Sequence, residues 1–185
     1  MQINTPRLIL IHSTDYPRRI IANQFNSCNE WHKARNFPLS LLGNYIGYHR
    51  LITGEKNYQA REDNEAGAHC NKVYQGKSVN FQSLGVCIGF DGDIEPVTDI
   101  EYNLLQKQVW EWQDKYNIPN NRVVFHRFFV KEKTCPGSLL NDAWLARLLL
   151  RPIEPTEVAK VEPRIGCLSE GEKTTFINLL KKLFT

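Results

Sequence analysis

The sequence predicts an α/β protein: a central mixed β-sheet flanked by helices in a single domain, followed by a C-terminal helical tail. Three observations favour this class. Apolar, β-branched runs such as residues 8–11 and 83–90 are typical of buried strands. Apolar residues spaced three and four apart elsewhere predict amphipathic helices. A chain of 185 residues with 42% hydrophobic content can fill one core, and a second full domain is not expected.

The N-terminal part of the sequence predicts a buried strand followed by two helices. Residues 7–11 are mostly apolar and β-branched, and His12 ends the run. Thr14 or Asp15 is expected to cap the first helix, because each offers a side-chain oxygen to the free backbone N–H groups of a first turn. A second, short helix is expected over residues 31–35.

The middle of the chain predicts a hairpin, a long loop, a central strand and a long helix. Residues 45–53 and 56–60 are expected to pair as the hairpin. Residues 61–82 are polar and contain two glycines, which indicates a loop over a functional face. The nearly continuous apolar run 83–90 suits a central strand. One apolar face along residues 99–116 predicts an amphipathic helix.

Another strand and another helix complete the predicted domain. Residues 122–125 form a short, mainly apolar run that ends at His126. A final helix is expected from Ser138 to about Leu150. The side chains of this segment that are expected to cover the sheet are Leu139, Trp144, Leu145 and Leu148.

Three segments are expected along the chain: a main domain at 1–150, a linker at 151–168 and an amphipathic helix at 169–185. Three prolines and mixed charges after the main domain indicate the linker. Ser169 and Glu172 match the capping-box pattern at the start of an apolar stripe. We expect this helix to dock onto its own domain or a partner subunit. Binding to a cell wall, a membrane or a regulator is the alternative.

Composition argues against several classes of protein. The 23 basic and 20 acidic residues give a net charge of only +3, and no basic run alternates with aromatic residues, so nucleic-acid binding is not expected. No apolar stretch is long enough for a transmembrane helix or a secretory signal, so we expect a protein that is cytoplasmic as synthesised. Five cysteines at scattered spacing agree with a reducing compartment.

Two histidines and a cysteine are candidate metal ligands because of where the predicted elements carry them. His12 and His126 each end a predicted strand, and Cys135 lies in a loop that Pro136 and Gly137 stiffen. Each alone would more often be a structural residue, since a lone cysteine usually behaves as a small hydrophobe. Together they suit zinc with three protein ligands and one position left for water, whose pKa zinc lowers to about 7. That arrangement is typical of a hydrolase.

Motifs spread over most of the chain resemble a known enzyme family. They are Ile11-His12-Ser13-Thr14, Trp31-His32-Lys33-Ala34-Arg35, Ile46-Gly47-Tyr48-His49, Gly67-Ala68-His69, Ser83-Leu84-Gly85-Val86-Cys87 and, after His126, Lys133-Thr134-Cys135-Pro136-Gly137. Their order and spacing from Leu8 to Trp144 resemble the zinc-dependent N-acetylmuramoyl-L-alanine amidase superfamily of phage endolysins, muropeptide amidases and peptidoglycan recognition proteins. The resemblance implies a catalytic domain at 1–150 that binds zinc (Zn2+) through His12, His126 and Cys135. It also implies cleavage of the amide bond between N-acetylmuramic acid and L-alanine in peptidoglycan or muropeptides.

The resemblance implies roles for three residues outside the ligand set. Tyr48 and Lys133 are expected to stabilise developing charge or to move protons, and His69 to contact the substrate. Taken alone, they would be a core tyrosine, a solvated lysine and a loop histidine without a role. Tyr48 and His49 are neighbours on a predicted strand, so their side chains are expected to face opposite ways, with His49 away from the metal. The residues expected to be structural are Trp31, His32 and Cys87.

The third ligand bears on which branch of the superfamily the chain resembles. A cysteine at this position is similar to the phage-type and recognition-protein branches, whereas recycling amidases typically carry aspartate there. We therefore expect an endolysin-type enzyme that acts on the cell wall after release. The alternatives are a muropeptide-recycling amidase, a non-catalytic peptidoglycan-binding module, and a structural zinc protein whose tail helix recruits a partner. Arg127 follows His126 where relatives often carry an acidic residue, so the surroundings of this ligand are expected to differ.

Overall fold

A mixed sheet of five strands and a separate two-stranded hairpin make up the β-structure of the computed structural model, which describes residues 3–18, 23–152, 169, 171–172 and 174. The strands are β1 (Leu8–Ser13), β2 (Arg50–Thr53), β3 (Lys56–Gln59), β4 (Val73–Tyr74), β5 (Lys77–Ser78), β6 (Ser83–Ile88) and β7 (Val123–Phe125). The α-helices are α1 (Gln24–Ala34), α2 (Asp99–Tyr116) and α3 (Asp142–Leu149). The chain divides into two compact units, Met1–Leu149 and Leu150–Thr185, and all of these elements lie in the first.

The main sheet has the strand order β3-β2-β6-β1-β7. Strand β1 pairs in parallel with both β6 and β7, and β2 pairs in parallel with β6, whereas β3 is antiparallel to β2. The carboxyl ends of β1, β6 and β7 therefore lie along one edge, which is where ligands bind in open α/β sheets. The predicted fold class, a central mixed sheet flanked by helices, is confirmed.

The alternation of side chains along β1 divides the core between the two faces of the sheet. Ile9 and Ile11 lie in the cluster to which α2 and α3 contribute. Leu8 and Leu10 lie in a second cluster, on the other face. His12 continues the even-numbered series, so its side chain points to the face that α2 does not cover.

Helix α1 covers the segment in which the second, short helix was predicted, but it begins earlier than that prediction. It begins after Asn23, whose side chain accepts a hydrogen bond from a backbone N–H of the first turn. No glycine or proline interrupts the sequence that follows, so α1 continues through residue 34. The helix predicted over residues 31–35 is therefore present, but as the end of a longer helix. The earlier helix does not begin after Thr14 or Asp15 as predicted, because residues 15–17 are not helical and Asp15 has a φ of 56°. Its predicted continuation over residues 19–22 lies outside the described residues.

The hairpin of β2 and β3 has the predicted turn but a shorter first strand. Strand β2 begins at Arg50, although a strand was predicted from residue 45. Asparagine side chains bind the backbone in front of it: Asn29 Oδ1 accepts from the Tyr45 N–H at 2.6 Å, and Asn44 Oδ1 accepts from the Ile46 N–H at 3.1 Å. Such local bonds compete with strand pairing, so the segment before Arg50 is irregular.

Helix α2 has the predicted bounds, and its two ends explain them. Thr98 Oγ1 accepts from the Glu101 N–H, and the Glu101 carboxylate accepts from the Thr98 N–H, forming a capping box that the sequence analysis did not identify. Asn117 ends the helix in the left-handed conformation, with a φ of 53°. Both ends are therefore fixed by local hydrogen bonding as well as by the apolar face.

Two other predicted segments differ from expectation. Helix α3 begins only at Asp142, because a turn precedes it in which the Leu140 N–H donates to the Gly137 carbonyl. That turn leaves Leu139, which was predicted to cover the sheet, 48% exposed and buries Leu140 instead. The segment 61–82, predicted as a loop, contains the small β4–β5 hairpin and a 3₁₀ turn.

Most of the linker predicted at 151–168 and of the helix predicted at 169–185 lies outside the described residues. The capping box predicted at Ser169 and Glu172 is present: the Ser169 N–H and Oγ–H donate to Glu172 Oε2 at 2.8 and 2.7 Å. Within the described part of the chain, no helix combines the length and the apolar character that crossing a membrane requires.

Candidate active site

Three candidate metal ligands from distant parts of the chain lie together at one edge of the sheet. They are His12 on β1, His126 in the 3₁₀ turn that follows β7, and Cys135 in the next loop. One donor atom of each residue lies within 4.8 Å of the other two, and all three side chains are buried. His12 Nδ1 lies 3.9 Å from Cys135 Sγ. The fold thus brings together the three residues that the sequence analysis selected.

The parallel pairing of β1 with β7 aligns the two histidines. Ile11 lies opposite Phe125 in the register, so the residues that follow, His12 and His126, reach the edge of the sheet at the same level. Their imidazole centroids are 4.4 Å apart. After His126 the chain turns sharply, since the His126 carbonyl accepts from the Phe129 N–H at 3.0 Å. Neighbouring parallel strands are therefore what makes two distant histidines adjacent.

Asp93 holds the loop that carries Cys135. Its carboxylate accepts from Thr134 Oγ1 at 2.6 Å and from the Ser138 N–H at 2.7 Å. These hydrogen bonds, of which that from Thr134 is the strongest influence, lower the pKa of Asp93. The two donors flank Cys135, so the carboxylate fixes the loop on both sides of the sulfur. This role of Asp93 was not predicted, because nothing in the sequence connects an aspartate after the central strand with a loop 41 residues further along the chain.

Arg127 supports the same loop. Its Nη1 donates to the carbonyl oxygens of Thr134 at 3.0 Å and Gly137 at 2.9 Å, and its Nη2 donates to that of Leu140. Its backbone N–H donates to the Cys135 carbonyl at 3.0 Å. Arg127, a basic residue where the family that the chain resembles more often carries an acidic one, therefore holds the backbone around the candidate ligand Cys135.

Burial keeps the two candidate histidine ligands neutral at ordinary pH. It lowers the pKa of His126 to about 4, and the positive charge of Lys133 acts in the same direction. The pKa of His12 also lies well below its ordinary value, because of burial and then of the neighbouring His126 and His69. A neutral imidazole keeps the lone pair that metal binding requires.

Cys135 is a thiol until a metal binds. Burial raises its pKa to about 11, although a hydrogen bond from the Ser13 N–H to the sulfur, at 3.5 Å, acts in the opposite direction. Because metals bind the thiolate, binding would displace this proton. The Ser13 N–H then remains in place to stabilise the negative sulfur.

The donor set fits a zinc ion. Imidazole nitrogen and thiolate sulfur are ligands that zinc prefers, and its bonds of about 2.0 to 2.3 Å suit donor atoms that lie within 4.8 Å of one another. Three protein ligands leave one position for water or substrate, as in catalytic zinc sites. No second group of this kind occurs in the described part of the chain.

The three candidate ligands line a cavity of about 250 Å³. The polar and aromatic residues that also line it include Asp15, Tyr16, Trp31, Arg35, Tyr48 and Lys133. The rings of Tyr16 and Trp31 stack with centroids 4.4 Å apart, and Lys133 is exposed to solvent. Trp31, which was predicted to be structural, thus contributes to the wall of the cavity. Cavities that mix aromatic surface with a few charged groups are typical of sites for polar organic ligands.

Tyr48 faces the ligands, whereas its neighbour His49 does not. The ring centroids of Tyr48 and His12 are 5.0 Å apart. His49 Nδ1 accepts from the Gly85 N–H, and His49 Nε2 donates to the Glu65 carbonyl, both at 3.0 Å. The side chains of Tyr48 and His49 point in different directions, as predicted. The prediction assumed a strand through both residues, but β2 begins only at Arg50. Burial raises the pKa of Tyr48 well above its ordinary value, so its hydroxyl keeps its proton, and a hydrogen bond with the side chain of Cys87 acts in the same direction.

The remaining two histidines are hydrogen-bonded inside the protein. His69 is 8% exposed, and its Nδ1 lies 3.0 Å from His12 Nε2, at the edge of the His12 ring away from Cys135. Contact between His69 and a substrate stays a prediction. His32 Nδ1 accepts from the Gly47 N–H at 3.1 Å. This bond agrees with the structural role predicted for His32, although its ring also lines the cavity.

Comparison with known proteins connects this geometry to one family. The profile of the N-acetylmuramoyl-L-alanine amidase family matches residues 2–138, a range that contains all three candidate ligands. No curated protein sequence matches the chain.

Several solved structures share the fold. The N-acetylmuramoyl-L-alanine amidase LysC from Clostridium intestinale URNW is 25% identical, with a TM-score of 0.62 over 80% of this chain and 88% of that one. The Ph2119 endolysin from the Thermus scotoductus MAT2119 bacteriophage Ph2119 is 20% identical, with a TM-score of 0.60 over 78% and 85% of the two chains. Drosophila PGRP-LB is also 20% identical, with a TM-score of 0.59 over 82% and 85%.

Proposed function

This chain belongs to the N-acetylmuramoyl-L-alanine amidase family, and we propose that His12, His126 and Cys135 hold the zinc ion with which it hydrolyses its substrate. The bond cleaved by an enzyme of this family joins N-acetylmuramic acid to the L-alanine of the peptide stem of peptidoglycan. The observation that carries the zinc proposal is the meeting of three buried donor atoms, within 4.8 Å of one another, in the wall of a cavity.

Amide hydrolysis needs a nucleophile, stabilisation of the oxyanion and a proton for the departing amine. When bound, zinc supplies Lewis-acid chemistry and lowers the pKa of a water molecule to about 7. Tyr48 is proposed to donate a hydrogen bond to the carbonyl oxygen as it becomes negative. Its raised pKa supports this role, because the hydroxyl keeps its proton across the working pH range.

Lys133 is proposed to act from the rim of the cavity. It lies two residues before Cys135, so the loop that holds the ligand also carries the ammonium group, and it lines the same cavity. A cation at this position stabilises negative charge on the reacting carbonyl or gives a proton to the leaving amine. Its charge also lowers the pKa of both His12 and His126, which favours their neutral, metal-binding forms.

An endolysin-type role is proposed for the enzyme, with the intact cell wall as its substrate. The similarity to the endolysin N-acetylmuramoyl-L-alanine amidase LysCS from Clostridium intestinale URNW, at 25% identity over 75% of this chain and 81% of that one, supports this choice. A cysteine as the proposed third ligand supports it as well. Muropeptide recycling is the rival biological setting. It predicts a preference for soluble fragments over intact wall.

The test is to incubate the purified protein with sacculi as prepared, with a chelator, and with zinc restored after chelation. We expect free stem peptides with an L-alanine amino terminus, identified by mass, in the first and third reactions only. Cleavage of soluble muropeptides but not of sacculi would favour recycling. Zinc binding without cleavage of either substrate would contradict the catalytic role of the site and favour a binding module.

Substitutions separate a catalytic site from a structural zinc site. Lys133→Ala and Tyr48→Phe should each lower the rate of stem-peptide release by about 100-fold or more while zinc content is unchanged. The matched control is Lys131→Ala, because Lys131 is an exposed lysine of the same loop that does not line the cavity. Unchanged activity in Lys133→Ala would favour a structural zinc site and contradict the role given to this residue.

A further inference from the structure

We propose that His69 is a positioning residue that fixes the ring orientation and the tautomer of His12 through a hydrogen bond between the two imidazoles. The inference rests on the proposed role of His12 as a zinc ligand. His69 is buried and is not one of the candidate metal ligands, so this role is separate from the metal site itself.

Two distances show which ring nitrogen of His12 faces the candidate metal site and which faces His69. His12 Nδ1 faces the ligand cluster, 3.9 Å from Cys135 Sγ, whereas His12 Nε2 lies 3.0 Å from His69 Nδ1. A nitrogen that binds a metal must present a lone pair, so Nδ1 of His12 is unprotonated and Nε2 carries the hydrogen. The His12 Nε2–H then donates to His69 Nδ1.

The hydrogen bonds on the far side of His69 are compatible with donation from His12 to His69. With its Nδ1 accepting, a neutral His69 carries its hydrogen on Nε2, which lies 3.4 Å from Ser83 Oγ. The Ser83 hydroxyl in turn donates to the Val79 carbonyl at 2.6 Å, which leaves its oxygen free to accept. One set of neutral tautomers therefore satisfies the whole chain of bonds. The opposite tautomer of His12 would set two lone pairs against each other unless His69 also changed.

The surroundings of His69 hold its ring in place. A Cβ atom at Gly67 would lie 2.5 Å from His69 Cδ2, and one at Gly85 would lie 2.7 Å from the same atom, so both glycines leave room for the ring. Asn80 Oδ1 accepts from the His69 N–H at 3.0 Å and fixes the backbone. A ring enclosed in this way keeps its acceptor nitrogen aimed at His12. Partners of this kind orient metal-binding histidines and raise their basicity.

The positioning role differs from the predicted role in substrate contact. Both ring nitrogens of His69 have partners inside the protein, His12 and Ser83. A residue that only contacts substrate would change KM when it is replaced and leave the affinity for zinc as it was. A positioning residue changes the affinity for zinc in the absence of any substrate.

The experiment measures the zinc affinity of the full chain by competition with a chelator. His69→Ala removes the acceptor and should weaken zinc binding by about 10- to 100-fold. His69→Asn keeps an acceptor, because its Oδ1 stands where Nδ1 stood, and should recover most of the affinity. His69→Gln is the matched control: its amide reaches toward the Nε2 position and Ser83, so zinc binding should stay weak. Circular dichroism checks that each variant is folded.

The outcomes separate this inference from the function on which it rests. Wild-type protein that binds no zinc would overturn both. Zinc binding that is tight in wild type and equally tight in His69→Ala would overturn the positioning role alone and leave the metal site standing. If His69→Ala does not fold, the comparison of Asn with Gln decides: equal affinities would overturn the proposal, and tighter binding by Asn would support it.

Discussion

All five histidines of the chain are buried, and they differ in whether their ring nitrogens face the candidate metal site or hydrogen-bond inside the protein. His12 and His126 present free nitrogens to the candidate metal site, whereas His32, His49 and His69 have partners within the protein. A histidine normally gains its charge just below neutral pH. Burying all of them in neutral form therefore makes the protein sensitive to acid.

His49 provides a test of this acid sensitivity at one residue. Burial lowers its pKa from 6.5 to about 4. Because the folded pKa is the lower one, the stabilisation is complete above pH 6.5 and is lost as the pH falls towards 4, a change of roughly 3 kcal/mol. In urea denaturation, His49→Gln should be less stable than wild type at pH 7. It should also lose less stability between pH 6.5 and 4. Equal losses in the two proteins would show that His49 does not titrate in this range.

The side chain of Tyr48 lies next to His12, on the side predicted for it, although the strand on which that prediction rested is absent at this position. The sequence predicted a strand through Tyr48 and His49, and strand alternation then separated their side chains. The strand begins only at Arg50. The two side chains are separated instead because hydrogen bonds with the Gly85 N–H and the Glu65 carbonyl hold the His49 ring in the interior. Hydrogen bonds between residues so far apart in the chain cannot be predicted from the local sequence pattern.

At the scale of elements, helix α2 was predicted most accurately, because its apolar face indicates the same bounds as the hydrogen bonds at its ends, which the prediction did not use. Its apolar face packs Leu105, Val109 and Trp112 into the main core, and polar residues at its ends hydrogen-bond to the free backbone groups. The segment before β2 has no such agreement. There, asparagine side chains outcompete a β-compatible sequence for the backbone.

The capping box of α2 can be tested by a substitution at Thr98. Thr98→Ala leaves the Glu101 N–H without its side-chain acceptor, and we expect a loss of about 1 kcal/mol in the free energy of unfolding. For a protein of this size, that corresponds to a fall of about 2 to 4 °C in melting temperature. Thr98→Ser is the control, since it keeps the hydroxyl and should remain near wild type. Similar losses in both variants would mean that the methyl group of Thr98 matters more than its hydrogen bond.

At the scale of the whole molecule, the candidate zinc site joins parts of the chain that are far apart in sequence. His12 and Cys135 are separated by 123 positions. An ion that binds only the folded arrangement stabilises it by mass action. The site should therefore contribute to the stability of the domain as well as to catalysis.

Thermal unfolding with and without zinc tests this contribution. Free zinc at 100 times its dissociation constant should stabilise the protein by about 2.7 kcal/mol, and a chelator should reverse the effect. Cys135→Ala removes one ligand and should abolish most of the increase in melting temperature. The control is Cys70→Ala, because Cys70 is a buried cysteine outside the ligand group. An equal increase in wild type and Cys135→Ala would place the zinc elsewhere.

The sequence by itself predicted the fold class and the bounds of α2 correctly and selected His12, His126 and Cys135 as candidate metal ligands, because apolar periodicity and ligand chemistry are properties of the residues themselves. Tertiary structure alone decided that β1 lies next to β7, which makes the two histidines neighbours. It also decided that Asp93 and Arg127 hold the loop of Cys135, and that His69 faces His12. These relations depend on which distant segments pack together, and hydrogen bonds between such segments have no period or spacing that a sequence could display.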